Sequence, residues 1–227
     1  MTAEMNAAGG PGTAPRLRPV SPAAHRRADM EAGSSERVRL REIPFAQMLA
    51  IRAEPGSPMA AAVEAHLGPL PAAVKQVTVS EAATICWLGP DEFLAVLSDA
   101  VLSDAVLSGA ALTAAALTAA AEAAETIMAA AGDAAGHVID VSANRTILEL
   151  DGPAARDVLE SSATIDLHPR MFPTGAAVAT NVAQTQVILH KTGEQTWRLL
   201  PRSSFADCVV TWLLDAMEEH RSAAPEV

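Results

Sequence analysis

The chain has 227 residues and a formal net charge of -11, with 27 acidic side chains against 16 basic ones, and so lacks the basic footprint that general nucleic-acid binding requires. Half of its residues are hydrophobic but only 3% are aromatic, so a core has to be built from Ala, Val, Leu and Ile. One or two domains of this length bury roughly two-thirds of the surface that the unfolded chain exposes, so neither disulfides nor a structural metal is needed for stability.

Residues 1–37 are rich in Pro, Gly, Ala and Ser and lack apolar periodicity, which predicts a flexible arm. Its glycines and prolines interrupt any run of signal-peptide length. Cys86 and Cys208 are far apart and belong to no C-x-x-C pair, so a reducing, cytoplasmic setting is expected. Charge is uneven along the chain. Residues 1–44 hold seven Arg against five acids, whereas between Ala53 and Asn144 a single Lys75 faces eleven Asp or Glu. The acidic stretch reads as a solvated surface.

Beyond the arm, 38–53 (VRLREIPFAQMLAIRA) reads as extended, 59–67 as a short helix, and 74–79, 83–88 and 92–97 as strands bounded by turn residues. Ser98 to Glu122 then repeats every five residues. Five residues advance an α-helix by about 500°, so Leu102, Leu107, Leu112 and Leu117 drift around the axis and share no face. This stretch reads either as a low-complexity loop followed by an Ala-driven helix from about Gly109 to Ala131, or as a partner-binding helix. Its charge-free part, Ala105 to Ala121, is mostly Ala, Ser and Thr, too weakly apolar to span a membrane.

Residues 138–150 (VIDVSANRTILEL) read as one or two strands, and Asp151-Gly152-Pro153 opens a helix carrying Val158 and Leu159. QTQVILH and TWRLL flank a Thr192-Gly193-Glu194 turn. A last helix from Ser204, with a capping-box-like S-x-x-D ending at Asp207, is expected to bury Phe205, Cys208, Val209, Trp212, Leu213 and Ala216. The two halves share an order: strand, helix, a hairpin turning at GPDE or TGEQ, and a closing helix. The pattern predicts an α+β fold of two units whose sheets are covered on one face by helices. The divisions are an arm over 1–37, a first lobe over 38–136 carrying the 98–122 insert, a second lobe over 137–220, and a tail over 221–227.

Catalytic motifs are missing. No G-x-G-x-x-G follows a strand, and no P-loop, H-E-x-x-H or G-x-S-x-G occurs. The six His are scattered without ligand spacing, which predicts no metal site. Trp87, Trp197 and Trp212 read as core residues in preference to interface anchors, and neither Cys has the basic neighbours that would activate a thiol. Two stretches stand out because polar residues interrupt regular patterns. Asn144 and Arg145 lie between apolar runs, where Asn suits a turn and Arg offers a fixed fork of donors. In TIDLHPRMFPTG, prolines hold an extended segment bearing Asp166, His168, Arg170 and Phe172. There Asp-x-His could orient an imidazole for acid–base work, or Arg170 and Phe172 could pack on a neighbour or a partner chain.

The motifs WLGPDEFLAV, DVSANRTILELDGPAARDVLES, IDLHPRMFP, TQVILHKTG and SSFADCVVTWLLDA, in this order over residues 37–220, resemble the gamma subunit of heterotetrameric sarcosine oxidase. The resemblance implies two ferredoxin-like α/β units in pseudo-repeat, the fold of the glycine-cleavage aminomethyltransferase (T-protein) and of related iron–sulfur-repair proteins. It further implies a complex that oxidatively demethylates sarcosine to glycine, forms hydrogen peroxide and passes the one-carbon unit to tetrahydrofolate. In the complex so implied, FAD, FMN, NAD and the folate site would belong to the alpha and beta subunits, and zinc to the delta subunit. The gamma subunit is implied to be a non-catalytic companion without a cofactor of its own. Its expected contacts are the Asn144–Arg145 turn and the loop of His168, Arg170 and Phe172. Two other readings are a freestanding folate-binding one-carbon protein and a general α+β interaction protein.

Overall fold

The computed structural model describes residues 19–98 and 114–221. The strands are β1 (Arg39–Ile43), β2 (Met48–Arg52), β3 (Val77–Val79), β4 (Ala83–Gly89) and β5 (Glu92–Leu97), then β6 (His137–Asp140) and β7 (Ile147–Asp151), and finally β8 (Ala177–Val182), β9 (Thr185–Lys191) and β10 (Thr196–Pro201), all but β8 falling where the sequence predicts extended chain. The helices are α1 (Arg27–Gly33), α2 (Pro58–Leu67), α3 (Ala114–Ala131), α4 (Ala155–Glu160) and α5 (Ala206–Met217). α2 starts where Ser57 Oγ accepts a bond from the Ala60 N–H at 3.1 Å, with Pro58 at the first helical position, whose own missing N–H costs nothing there.

The strands build two five-stranded sheets, ordered β3-β4-β5-β2-β6 and β1-β7-β10-β9-β8, and every pairing among the described residues is antiparallel. Alternate side chains serve different layers, because the side-chain period of a strand is two. On β5, Phe93, Ala95 and Leu97 point towards α2 and α3, where they meet Met59, Val63 and Ile127. Leu94 and Val96 point the other way, into a central cluster with Met48, Ile43, Ile147, Ile188 and Leu200. Leu148, Leu150, Leu189 and Leu199 complete the second helical side under α1, α4 and α5. The layers therefore run helix, sheet, sheet, helix, and the two units share a core.

Sheet membership cuts across the division at residue 136. β1 leaves its chain neighbour β2 and pairs with β7, Ile43 opposite Ile147, while β6 pairs with β2, Val138 opposite Ile51. The turn between β1 and β2 makes this possible by sending consecutive strands into different sheets. A glycine fixes one approach between the halves: Gly152 has φ +131°, and a Cβ there would run into the Arg37 carbonyl oxygen.

Two expectations need correction. The arm is ordered from residue 19 onwards, because Ala23 and Met30 enter the core and Glu42 accepts bonds from Ser21 Oγ at 2.6 Å and the Ala23 N–H at 3.0 Å. Residues 1–18 lie outside the described residues, as do 99–113, which hold most of the pentapeptide repeat, and 222–227, which hold most of the tail. α5 begins at Ala206 after a 3₁₀ turn over Ser203–Phe205, with no side-chain cap, so its buried stripe is Ala206, Val209, Val210, Leu213 and Met217. Phe205 and Cys208 are exposed as a result, and Asp207 instead receives Arg26 Nη1 at 2.7 Å. β8 was not legible from its sequence AVATNV.

The β8–β9 hairpin turns on Ala183 and Gln184, at φ 52° and 58°. Two successive left-handed residues are a type I′ turn, which favours Asn-Gly. Replacing Ala183 by Asn and Gln184 by Gly should stabilise the chain by roughly 1 kcal/mol, read as a higher urea midpoint at unchanged slope. A lower midpoint would show that these side chains contribute contacts of their own.

Candidate functional site

The loop between β6 and β7 is knitted before it reaches Arg145. Asp140 Oδ1 accepts from the Ser142 N–H at 2.8 Å and from Ser142 Oγ at 2.6 Å, and the Asn144 N–H closes a turn onto the Val141 carbonyl at 2.9 Å. The Ser203 N–H then binds the Asn144 carbonyl at 2.8 Å, and Arg145 bridges Arg202 backbone to backbone. Asn144 itself is exposed.

This framework holds the Arg145 guanidinium half-buried, with Nη1 donating to the Leu200 carbonyl at 2.7 Å. Among the described residues no carboxylate lies within ion-pair distance of it. Burial lowers the pKa of this guanidinium from its ordinary value, and the nearby charge of Arg202 lowers it further. Arg145 lines a crevice of about 360 Å³ whose other walls include Val20, Pro22, Phe45 and Ser203. Val20 is 76% exposed, and Phe45 is held at φ 58°, a conformation that a non-glycine residue adopts only when its surroundings enforce it. Sequence reasoning had singled out the arginine but not Val20 or Phe45, which belong to segments distant in the chain.

The second stretch divides. Asp166 Oδ1 accepts the His168 backbone N–H at 2.8 Å, and His168 Nδ1 accepts the Arg170 N–H at 3.2 Å. The carboxylate thus organises the backbone of the loop and does not orient the imidazole, which corrects the acid–base reading. His168 and Arg170 remain exposed. Phe172 is 0% exposed, so it presents no surface to another chain, and its place among expected contact residues is withdrawn. It stacks on Trp197 with ring centroids 5.5 Å apart, and Lys75 Nζ sits 5.7 Å from its ring while donating to the Met171 carbonyl at 3.0 Å. No hydrogen bond or ion pair joins this loop to the Arg145 loop among the described residues.

Two other acids serve the fold. Glu149, buried between the sheets, accepts from Arg41 Nε at 2.8 Å and Arg198 Nε at 3.0 Å. Arg39 and Thr196 hold Asp151 below the usual carboxylate range. Burial pushes the Cys86 thiol up to about 12, which leaves it protonated and unreactive. Among the described residues no cluster of three His, Cys, Asp or Glu could hold a metal, and no helix is long and apolar enough to cross a membrane.

Comparison with known proteins sets this architecture in a family. Residues 113–219 match the sarcosine oxidase, gamma subunit family. The chain is 44% identical over 208 residues to the sarcosine oxidase subunit gamma of Corynebacterium sp. (strain U-96), covering 89% of this chain and 92% of that one. It is also 44% identical over 205 residues to the corresponding subunit of Arthrobacter sp., covering 89% and 91%. Its fold superposes with a TM-score of 0.77 and 42% identity on a chain of the heterotetrameric sarcosine oxidase from Corynebacterium sp. U-96 in complex with pyrrole 2-carboxylate, covering 92% of this chain and 99% of that one. The glycine cleavage system aminomethyltransferase T from Bartonella henselae shares the fold at a TM-score of 0.54 and 16% identity, with 82% of this chain matching 48% of the enzyme. Identity at this level, spread over both sheets and nearly the whole length of the relatives, means that the chain belongs to the sarcosine oxidase gamma subunit family.

Proposed function

We propose that this chain is the gamma subunit of a heterotetrameric sarcosine oxidase and acts as a companion that packs against the larger, cofactor-bearing chains. The observation that carries the reading is the match to 99% of a chain from such a complex at 42% identity. On this reading the alpha and beta partners bind FAD, FMN, NAD and tetrahydrofolate, a delta partner holds zinc, and the assembly demethylates sarcosine to glycine in the cytoplasm. Asp166, which sequence reasoning put forward for chemistry, supports a non-catalytic role because it is engaged in holding its own loop, as the buried Glu149 is in holding Arg41 and Arg198. The exposed residues Asn144, His168 and Arg170, with half-buried Arg145, are the surfaces assigned to contact.

Co-expression with alpha, beta and delta subunits, followed by affinity capture on this chain, tests the reading. A single yellow peak with sarcosine-dependent peroxide formation is the expected result. A monodisperse colourless chain that ignores those subunits, or one that binds tetrahydrofolate saturably by itself, would overturn it.

A further inference from the structure

The crevice at Arg145 combines three features that a free surface rarely keeps together. Its cation is half-buried and has no carboxylate partner among the described residues, although this chain carries 27 acids. A second cation, Arg202, lies beside it and adds to the unbalanced positive charge. The crevice that Arg145 lines has an apolar side from Val20, Pro22 and Phe45, with Val20 largely exposed, beside a polar side that includes Gln47, Ser142 and Ser203. Half-buried charge without a counter-charge is costly, and an apolar wall in water gains by being covered. One occupant answers both needs at once: an anionic group carried on an apolar support.

We propose that this crevice receives an Asp or Glu carboxylate of a neighbouring subunit, presented on an apolar segment that covers Val20 and Phe45. The carboxylate takes the donors of the Arg145 fork that are not directed at Leu200, and Arg202 adds its field from the side. Arg145 already spends one nitrogen on the Leu200 carbonyl and is seated by the bridge to Arg202, so its fork is positioned before the partner arrives. Little side-chain ordering then remains to oppose association. Asp140, the one acid in the crevice wall, is turned towards Ser142 and does not take this role.

The proposal rests on the subunit reading, and the test separates the two. The full chain is co-expressed with the other subunits as the unaltered protein, as Arg145→Gln and as Arg145→Lys. Arg145→Gln should weaken assembly about thirtyfold or more, because a desolvated partner carboxylate is left without its cation. Arg145→Lys keeps the charge and supplies an amine, so zero-length carbodiimide coupling of the intact complex should form an amide between position 145 and an Asp or Glu of another subunit, read by mass spectrometry of the digested complex. Thermal melts of each variant monitor folding, and the cross-link readout does not depend on them. Unchanged affinity of Arg145→Gln, no amide at position 145 in an assembled complex, or an amide only to this chain's own Asp140 each overturns the proposal while leaving the subunit reading intact. Failure of the unaltered chain to assemble overturns both.

Discussion

Trp197→Ala should lower stability by about 3–5 kcal/mol, the range for removing a large buried aromatic side chain. Trp197 is 1% exposed, pairs through β10 with both β7 and β9, and stacks on Phe172, so the cavity left behind would be bounded by strands on two sides and could not easily collapse. Lys191 Nζ lies 5.0 Å from the same ring, and its contact would be lost together with the stack. The contrast with Trp197→Phe sharpens the test. The indole Nε1 is buried without a hydrogen-bond partner among the described residues, so a phenyl ring keeps most of the apolar area and removes an unsatisfied donor. Trp197→Phe should therefore cost far less than the alanine change. Urea unfolding of the three proteins at constant slope measures both differences. Equal losses for Phe and Ala would mean that the indole nitrogen makes a stabilising contact of its own.

Acid should weaken the fold in a window set by His190. This side chain lies between the sheets on β9, where burial, aided by the positive charge of Arg198, lowers its pKa from 6.5 to about 4. Folding thus favours the neutral imidazole. Above pH 6.5 both states are neutral and the full stability is present. As pH falls from 6.5 towards 4 the unfolded chain takes up a proton that the native chain refuses, and stability declines. Below about 4 the loss saturates at roughly 3 kcal/mol. Asp151 has its pKa lowered, so its loss falls at lower pH, in a separate window. His190→Gln removes the titrating group and should flatten the profile between pH 6.5 and 4. Denaturant midpoints across that range decide the matter, and an unchanged slope in the variant would assign the acid sensitivity to other groups.

The strands and their turns were legible wherever short apolar runs lie between clear breakers, as in β4 and β5, and α2 was legible as a short helix. β8 was not, because its Ala, Thr and Asn residues give no contrast between faces. Pairing between distant strands was also hidden. The alternation on β1 is the same whether its neighbour is β2 or β7, since period two fixes the face and not the partner. The Asn144–Arg145 turn was visible because two polar residues break an apolar run. The crevice around it was not, since Val20 and Phe45 reach it through folding alone. Phe172 was misread for the opposite reason: flanking prolines suggested a surface loop, while the ring turns inward onto Trp197.

The exchange of β1 and β6 bears on how the chain emerges from the ribosome. β1 is made about a hundred residues before β7, the strand that it pairs with, and β2 must wait for β6 on one side although β5 arrives early on the other. Neither sheet can close while only half of the chain exists. Long-range closure of this kind slows folding and ties both halves into one cooperative event, so the nascent first half remains an unfinished surface until the second is complete.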